Sequence, residues 1–199
     1  MGSKGQLLVI SGPSGAGKGT VCKALIEKNS IWISTSCTTR KPREGEVEGV
    51  NYFFIDREEF LKRIDKEDFL EYAEVYGNFY GTPKSEVLKL LEEGKDVILE
   101  IDIQGALKIK SSYPKGIFIF IMPPSMEELR NRITNRGSET PESLKTRMEC
   151  AYDEISFASK YDYAVVNDKV EDAVKKIESI IIAEKCRVFK IKDELLGRF

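Results

Sequence analysis

The stretch Gly12-Pro13-Ser14-Gly15-Ala16-Gly17-Lys18-Gly19-Thr20 constrains this chain more than any other. It follows the apolar run Leu7-Leu8-Val9-Ile10, which reads as a short buried strand. It precedes Val21, Leu25 and Ile26, whose spacing suits one face of a helix. A strand, a glycine-rich loop and a helix form the context of a phosphate-binding loop. Glycines let backbone N–H groups crowd around phosphate oxygens, and the helix N-terminus adds partial positive charge. Lys18 adds a full charge, and Thr20 a hydroxyl near the place a magnesium ion would take. The usual pattern puts Ser or Thr directly after the lysine, and here Gly19 intervenes. That spacing argues for a metal held mainly by water and phosphates.

The rest of the chain limits the chemistry available around this loop. Its 199 residues can bury one good core with small lobes attached. The net charge of −2 argues against a general nucleic-acid or membrane-surface binder. No apolar run is long enough to span a bilayer. Cys22, Cys37, Cys150 and Cys186 are scattered without a C-x-x-C pair, which fits reduced thiols in a cytoplasmic protein. The chain has no histidine, so catalysis must come from Lys, Arg, carboxylates, hydroxyls or a phosphate-held metal.

Four apolar runs predict buried strands at Leu7–Ile10, Val97–Ile101, Ile117–Met122 and Tyr163–Val166. Helical patterns separate them, which predicts an α/β fold on a parallel sheet. Asp56 with Glu59 and Ser125 with Glu128 read as capping boxes. Thr82-Pro83 and Thr140-Pro141 read as helix starts, and Gly94 and Gly137 as stops. The last long helix spans roughly 171–184. Ser34 to Tyr80 breaks the alternation and predicts an inserted lobe of short strands and one helix. Arg130 to Arg147 is polar and charged, which suits a mobile flap. The tail from Arg187 to Phe199 reads as a short docking helix of open role.

Three further stretches bear on chemistry. Ser36, Arg40 and Arg43 sit in a loop whose forked donors can grip one phosphate. Glu71 lies among phenols and small residues, and a carboxylate there can accept both donors on the guanine edge, which adenine does not offer. Glu100 and Asp102 end the Val97 strand, and strand alternation places them on one side.

Taken together these stretches resemble guanylate kinases over roughly Leu7 to Glu184. The resemblance implies transfer of the ATP γ-phosphoryl group to GMP or dGMP, with Mg²⁺ accompanying ATP. It implies a P-loop three-layer α/β core with a parallel sheet (1–33, 84–126 and 148–199), a small mixed α/β GMP-binding lobe (34–83) and a helical lid (127–147). Residues 12–20 and Asn167 would hold ATP. Ser36, Arg40, Arg43, Tyr52, Glu71, Tyr80, Thr82 and Asp102 would hold GMP, the base facing Ser36, Glu71, Thr82 and Asp102. Lys18, Arg132, Arg136 and Arg147 would close over the moving phosphoryl. Thr20 and Glu100 would reach the metal through water, and Gly-Lys-Gly-Thr is ordinary for nucleoside monophosphate kinases. A kinase for another phosphate acceptor and a peptide-binding scaffold of the same fold are the rivals. Oligomeric state stays open, a homodimer being one option.

Overall fold

A computed structural model describes residues 4–75, 77–135, 141–188, 190 and 196–197. Its centre is strand β1 (Leu7–Ser11), buried along its whole length. Burial on both faces follows from an apolar run with no polar alternation. Leu8 and Ile10 face a cluster built with helix α1 (Lys18–Lys28) and helix α7 (Val170–Lys185). Leu7 and Val9 face the opposite cluster, built with helix α3 (Lys84–Glu92) and helix α4 (Ile103–Ser112). Period-two alternation therefore divides one strand between two cores and produces three layers.

The main sheet has five parallel strands in the order β2 (Ile31–Ile33), β7 (Asp96–Glu100), β1, β8 (Ile117–Met122) and β9 (Tyr163–Val166). β7 and β8 flank β1 on opposite sides, which opens a crevice beyond the carboxyl end of β1. Four of these strands match the apolar runs, with β7 shifted one residue towards the N-terminus. The fifth, β2, is an unexpected edge strand. It is only three residues long, and its Trp32 is half exposed beneath the Lys95 ammonium, so it carries little apolar signal.

A second sheet pairs β4 (Phe53–Phe54), β3 (Cys37–Thr38), β6 (Asn78–Pro83) and β5 (Phe69–Val75) in that order. Helix α2 (Arg57–Asp65) lies against it, and Phe60 stacks between Phe69 and Phe79 at centroid distances of 4.5 and 5.2 Å. Helix α5 (Met126–Thr134) and helix α6 (Pro141–Ser156) share a smaller core of Leu129, Ile133, Met148 and Ala151. The polar flap thus contains a packed helix pair among its described residues. Among the described residues, no helix is long and apolar enough to cross a membrane.

The caps form as expected, with Asp56 and Ser125 accepting the N–H groups of Glu59 and Glu128, but the reciprocal half of each capping box is replaced, the two glutamates accepting from Arg63 and Arg132 one turn on. Ser125→Ala is expected to cost about 1 kcal/mol, lowering the thermal midpoint by about 2–4 °C without affecting turnover. Calorimetry and a steady-state assay check both halves. The expected cap at Thr82 is corrected. Pro83 takes that position without a side-chain bond, because the Thr82 hydroxyl is engaged with Glu71 in the neighbouring strand. Gly94 does end α3, with positive φ and its N–H on the Leu91 carbonyl. Gly137, Thr140 and most of the tail lie outside the described residues.

Candidate active site

The phosphate-binding loop turns between β1 and α1, and its backbone needs glycine at particular points. Gly12 has φ +146°, and a Cβ there would fall 2.3 Å from the Ile121 carbonyl oxygen. Gly17 caps α1 at φ +87°, with its missing Cβ 2.4 Å from Asn167 Nδ2. Both a left-handed backbone and a close neighbour exclude a side chain at these positions. Asn167 Nδ2 donates to the Ala16 carbonyl at 2.8 Å, so the end of β9 pins the loop. Asn167 itself is buried, and its Oδ1 has no hydrogen-bond partner among the described residues.

Lys18 opens α1 and folds back over the loop. Its ammonium donates to the Gly12 and Pro13 carbonyls at 2.7 and 3.1 Å. Burial lowers its pKa, and Glu100 is the strongest opposing influence. The Glu100 carboxyl is raised by burial, with Lys18 opposing. Gly19 approaches the same acid, since a Cβ there would lie 3.4 Å from Glu100 Oε1. Thr20 is exposed and does not line the cleft.

The crevice beyond β1 is a cleft of about 350 Å³. Gly12, Ser14 and Lys18 line one end. Ser36, Arg40, Arg43, Tyr52, Glu71 and Tyr80 come from the second sheet and its loops, and Glu100 and Asp102 come from the end of β7 and the turn into α4. Arg147 enters from α6. Four distant stretches of sequence therefore converge on one cavity.

On the lobe side, Arg40 makes a two-pronged bond to Glu46 at 2.9 and 3.0 Å. Its guanidinium also lies over Tyr52, 5.5 Å from the ring centre, and Tyr52 meets Tyr80 edge-on. The bond to Arg40 holds the Glu46 carboxyl below its ordinary value. Glu71 sits in β5 opposite Thr82 of β6 and is 7% exposed. Thr82 Oγ1 donates to Glu71 Oε1 at 2.8 Å. Burial nevertheless pushes the Glu71 carboxyl up to about 7. Thr82 is fully buried and does not line the cleft, so in this arrangement it holds the acid from behind.

Strand alternation is not what places Asp102. It lies beyond β7 as the N-cap of α4, where Oδ1 accepts the Gly105 N–H at 2.7 Å. A cap residue turns the chain, and that turn aims its carboxyl into the cleft alongside Glu100. Arg132 is also placed differently from its neighbour Arg147. It binds Glu128 at 2.9 Å and the Asn167 carbonyl at 3.0 Å and does not line the cleft. Arg136 lies outside the described residues.

Cys150 and Glu154 line the cleft without having been singled out in the sequence. Glu154 Oε2 accepts the Ser14 N–H at 3.3 Å, so a carboxylate meets an amide of the phosphate-binding loop. The available signal was periodicity: Arg147, Cys150 and Glu154 recur at helical spacing while Met148 and Ala151 face α5.

Among the described residues, no three His, Cys, Asp or Glu side chains gather into a metal site. Glu100, half-buried and the acid acting most strongly on Lys18, with only glycine standing against it at 19, suits a hydrated cation that arrives with a nucleotide.

The chain is similar to known proteins over nearly its full length. The family model described as guanylate kinase matches residues 4–184. A curated guanylate kinase from Clostridium tetani is 67% identical over 193 residues, covering 97% of this chain and 93% of its own. One from Clostridium perfringens is 69% identical, covering 98% and 90%. The crystal structure of guanylate kinase from Anaplasma phagocytophilum superimposes with a TM-score of 0.83 at 39% identity, covering 99% of this chain and 96% of that one. With a phosphate-binding loop facing an acid-lined pocket across one cleft, and with relatives this similar over nearly its full length, the chain belongs to the guanylate kinase family.

Proposed function

We propose that this chain transfers the γ-phosphoryl group of ATP to GMP or dGMP, giving ADP and GDP or dGDP. The observation that carries the reading is the single cleft with a phosphate-binding loop at one end and a buried acid, Glu71, at the other. The loop amides of residues 12–18 and the Lys18 ammonium would hold the ATP phosphates. Arg40, Arg43, Tyr52 and Tyr80 would hold the GMP phosphate. Glu71 and Asp102 would accept the guanine N1–H and amine, with Ser36 beside them and Thr82 orienting Glu71.

Phosphoryl transfer demands alignment and charge neutralisation more than covalent chemistry. The acceptor is an ionised phosphate oxygen, so no general base is needed, which fits a chain without histidine. Lys18 and Arg147 supply positive charge at the cleft where negative charge moves. Arg136 belongs to the same proposal. Arg132, through its bond to the Asn167 carbonyl, would tie α5 to the end of β9 beside the loop. Asn167 would face the adenine side of that loop. Mg²⁺ would be held by the ATP phosphates and by waters on Glu100, and would neutralise phosphate charge, the exposed Thr20 standing outside the cleft. Arg40 must trade Glu46 for the substrate phosphate, and α5–α6 and the second sheet would close around both nucleotides to exclude water.

A coupled ADP-release assay with ATP and Mg²⁺ against GMP, dGMP, AMP, UMP and CMP tests this. Turnover is expected with GMP and dGMP and not with the others. A lack of turnover with GMP would overturn the activity. Strong turnover with AMP would overturn the base-reading role of Glu71 and Asp102.

A further inference from the structure

Gly105 is buried in the first turn of α4, where a helix gains nothing from glycine. Alanine there would favour the helix. Its backbone is not in the left-handed region, so conformation does not demand glycine either. What surrounds it supplies the reason. Its N–H donates to Asp102 Oδ1 at 2.7 Å and so fixes the direction of that carboxylate. A Cβ on the same residue would fall 2.6 Å from Glu71 Oε2, 3.0 Å from Glu71 Cδ and 3.2 Å from Asp102 Oδ1.

Glu71 has little freedom to yield. It is 7% exposed, and its other oxygen is held by Thr82 at 2.8 Å. Tyr72, the next residue in β5, has its carbonyl bonded by Lys108, one turn further along α4. The helix and the strand are thus tied together at the level where the two acids meet. A side chain at 105 would push the Glu71 carboxylate into the cleft or break its bond to Thr82.

We infer that Gly105 is a positioning residue for base selection: its N–H aims Asp102 and its missing side chain seats Glu71, so one residue sets the separation of both acids. This rests on the reading of Glu71 and Asp102 as the guanine acceptors. The two donors on the guanine edge have a fixed spacing, so the acceptors must have one too. A displacement of about 1 Å at such a site is enough for a loss of about a hundredfold. The proximity of Asp102 also contributes to the raised pKa of Glu71.

The experiment compares Gly105→Ala, Glu71→Asp and the double variant, reading KM for GMP, KM for ATP, kcat and thermal midpoint. Gly105→Ala is expected to raise the GMP KM by about ten- to a hundredfold while the ATP KM moves less than about twofold. Glu71→Asp withdraws the carboxylate by one methylene and makes room for the new Cβ. In that background the added alanine is expected to cost less than about threefold, a strongly non-additive cycle. If Gly105→Ala does not fold alone, the double variant is expected to fold, and a double variant that stays unfolded overturns the proposal. Equal rises in both KM values, or additive effects in the double variant, overturn the role of Gly105 and leave Glu71 intact as an acceptor. An unchanged GMP KM in Glu71→Asp overturns the base reading itself, and the inference with it.

Discussion

Lys18→Ala is expected to lower turnover by about a thousandfold while the protein stays folded. The ammonium stands at the loop end of the cleft, where the charge on a moving phosphoryl group would develop. It donates to two carbonyls of its own loop, Gly12 and Pro13. Those bonds keep the side chain folded over the loop and ready to turn to a phosphate oxygen. Their loss should cost about 1–2 kcal/mol of stability, far less than its catalytic effect. Lys18→Arg is not expected to restore activity, because a planar fork cannot fill the place of a compact ammonium with three rotatable donors. The GMP KM should change little on this proposal, since Glu71, its base reader, comes from β5 and not from the loop. Steady-state kinetics and a thermal melt check the prediction, and retained turnover in Lys18→Ala would remove the lysine from the chemistry.

The loop was legible from sequence because its chemistry is local: the strand, the glycines and the lysine lie within a dozen residues and need no partner to be recognised. The acids were legible as candidates, but their arrangement was not. Alternation along a strand suggested a shared face for Glu100 and Asp102, whereas Asp102 has left the strand and caps α4. The competing local rule, an Asp at a helix start, was visible and won because it satisfies an otherwise orphaned N–H of Gly105. Thr82 followed the opposite course. Its helix-cap signal was plain, and a cross-strand acid claimed its hydroxyl instead. β3 and β4 are two residues each and exist because distant β6 pairs with β3, so their own composition carries almost nothing. Arg132 had a readable helix face, but its partner, the Asn167 carbonyl, is 35 residues away in sequence. Glu154 was hidden for the same reason, 140 residues from the Ser14 amide it meets.

Glu71→Gln is expected to raise the GMP KM by about a hundredfold and to leave the ATP KM nearly unchanged. A carboxylate offers two acceptors to guanine, whereas the amide offers one acceptor and points a donor at a donor. Because the position is 7% exposed, water cannot repair the mismatch. The same burial gives the site a pH signature. Burial raises the Glu71 carboxyl from its ordinary value of 4.5 to about 7. Below pH 7 it is mostly protonated and cannot accept both guanine donors, so GMP affinity should fall towards tenfold per pH unit. Binding near pH 7 should release about half a proton, because the guanine donors favour the ionised form. Titration calorimetry in buffers of different ionisation enthalpy reads that release directly. The sign for folding is the reverse. Between pH 4.5 and 7 the folded chain holds a proton on Glu71 that the unfolded chain has lost, so this group's contribution to stability declines as pH rises through that window and is fully present only below it. On this proposal guanine recognition would grow over the range in which Glu71 weakens the fold, as expected when an acid is buried for a ligand rather than for the fold. In Glu71→Gln both trends should flatten together; a GMP affinity that still falls below pH 7 in that variant would assign the titration to another group.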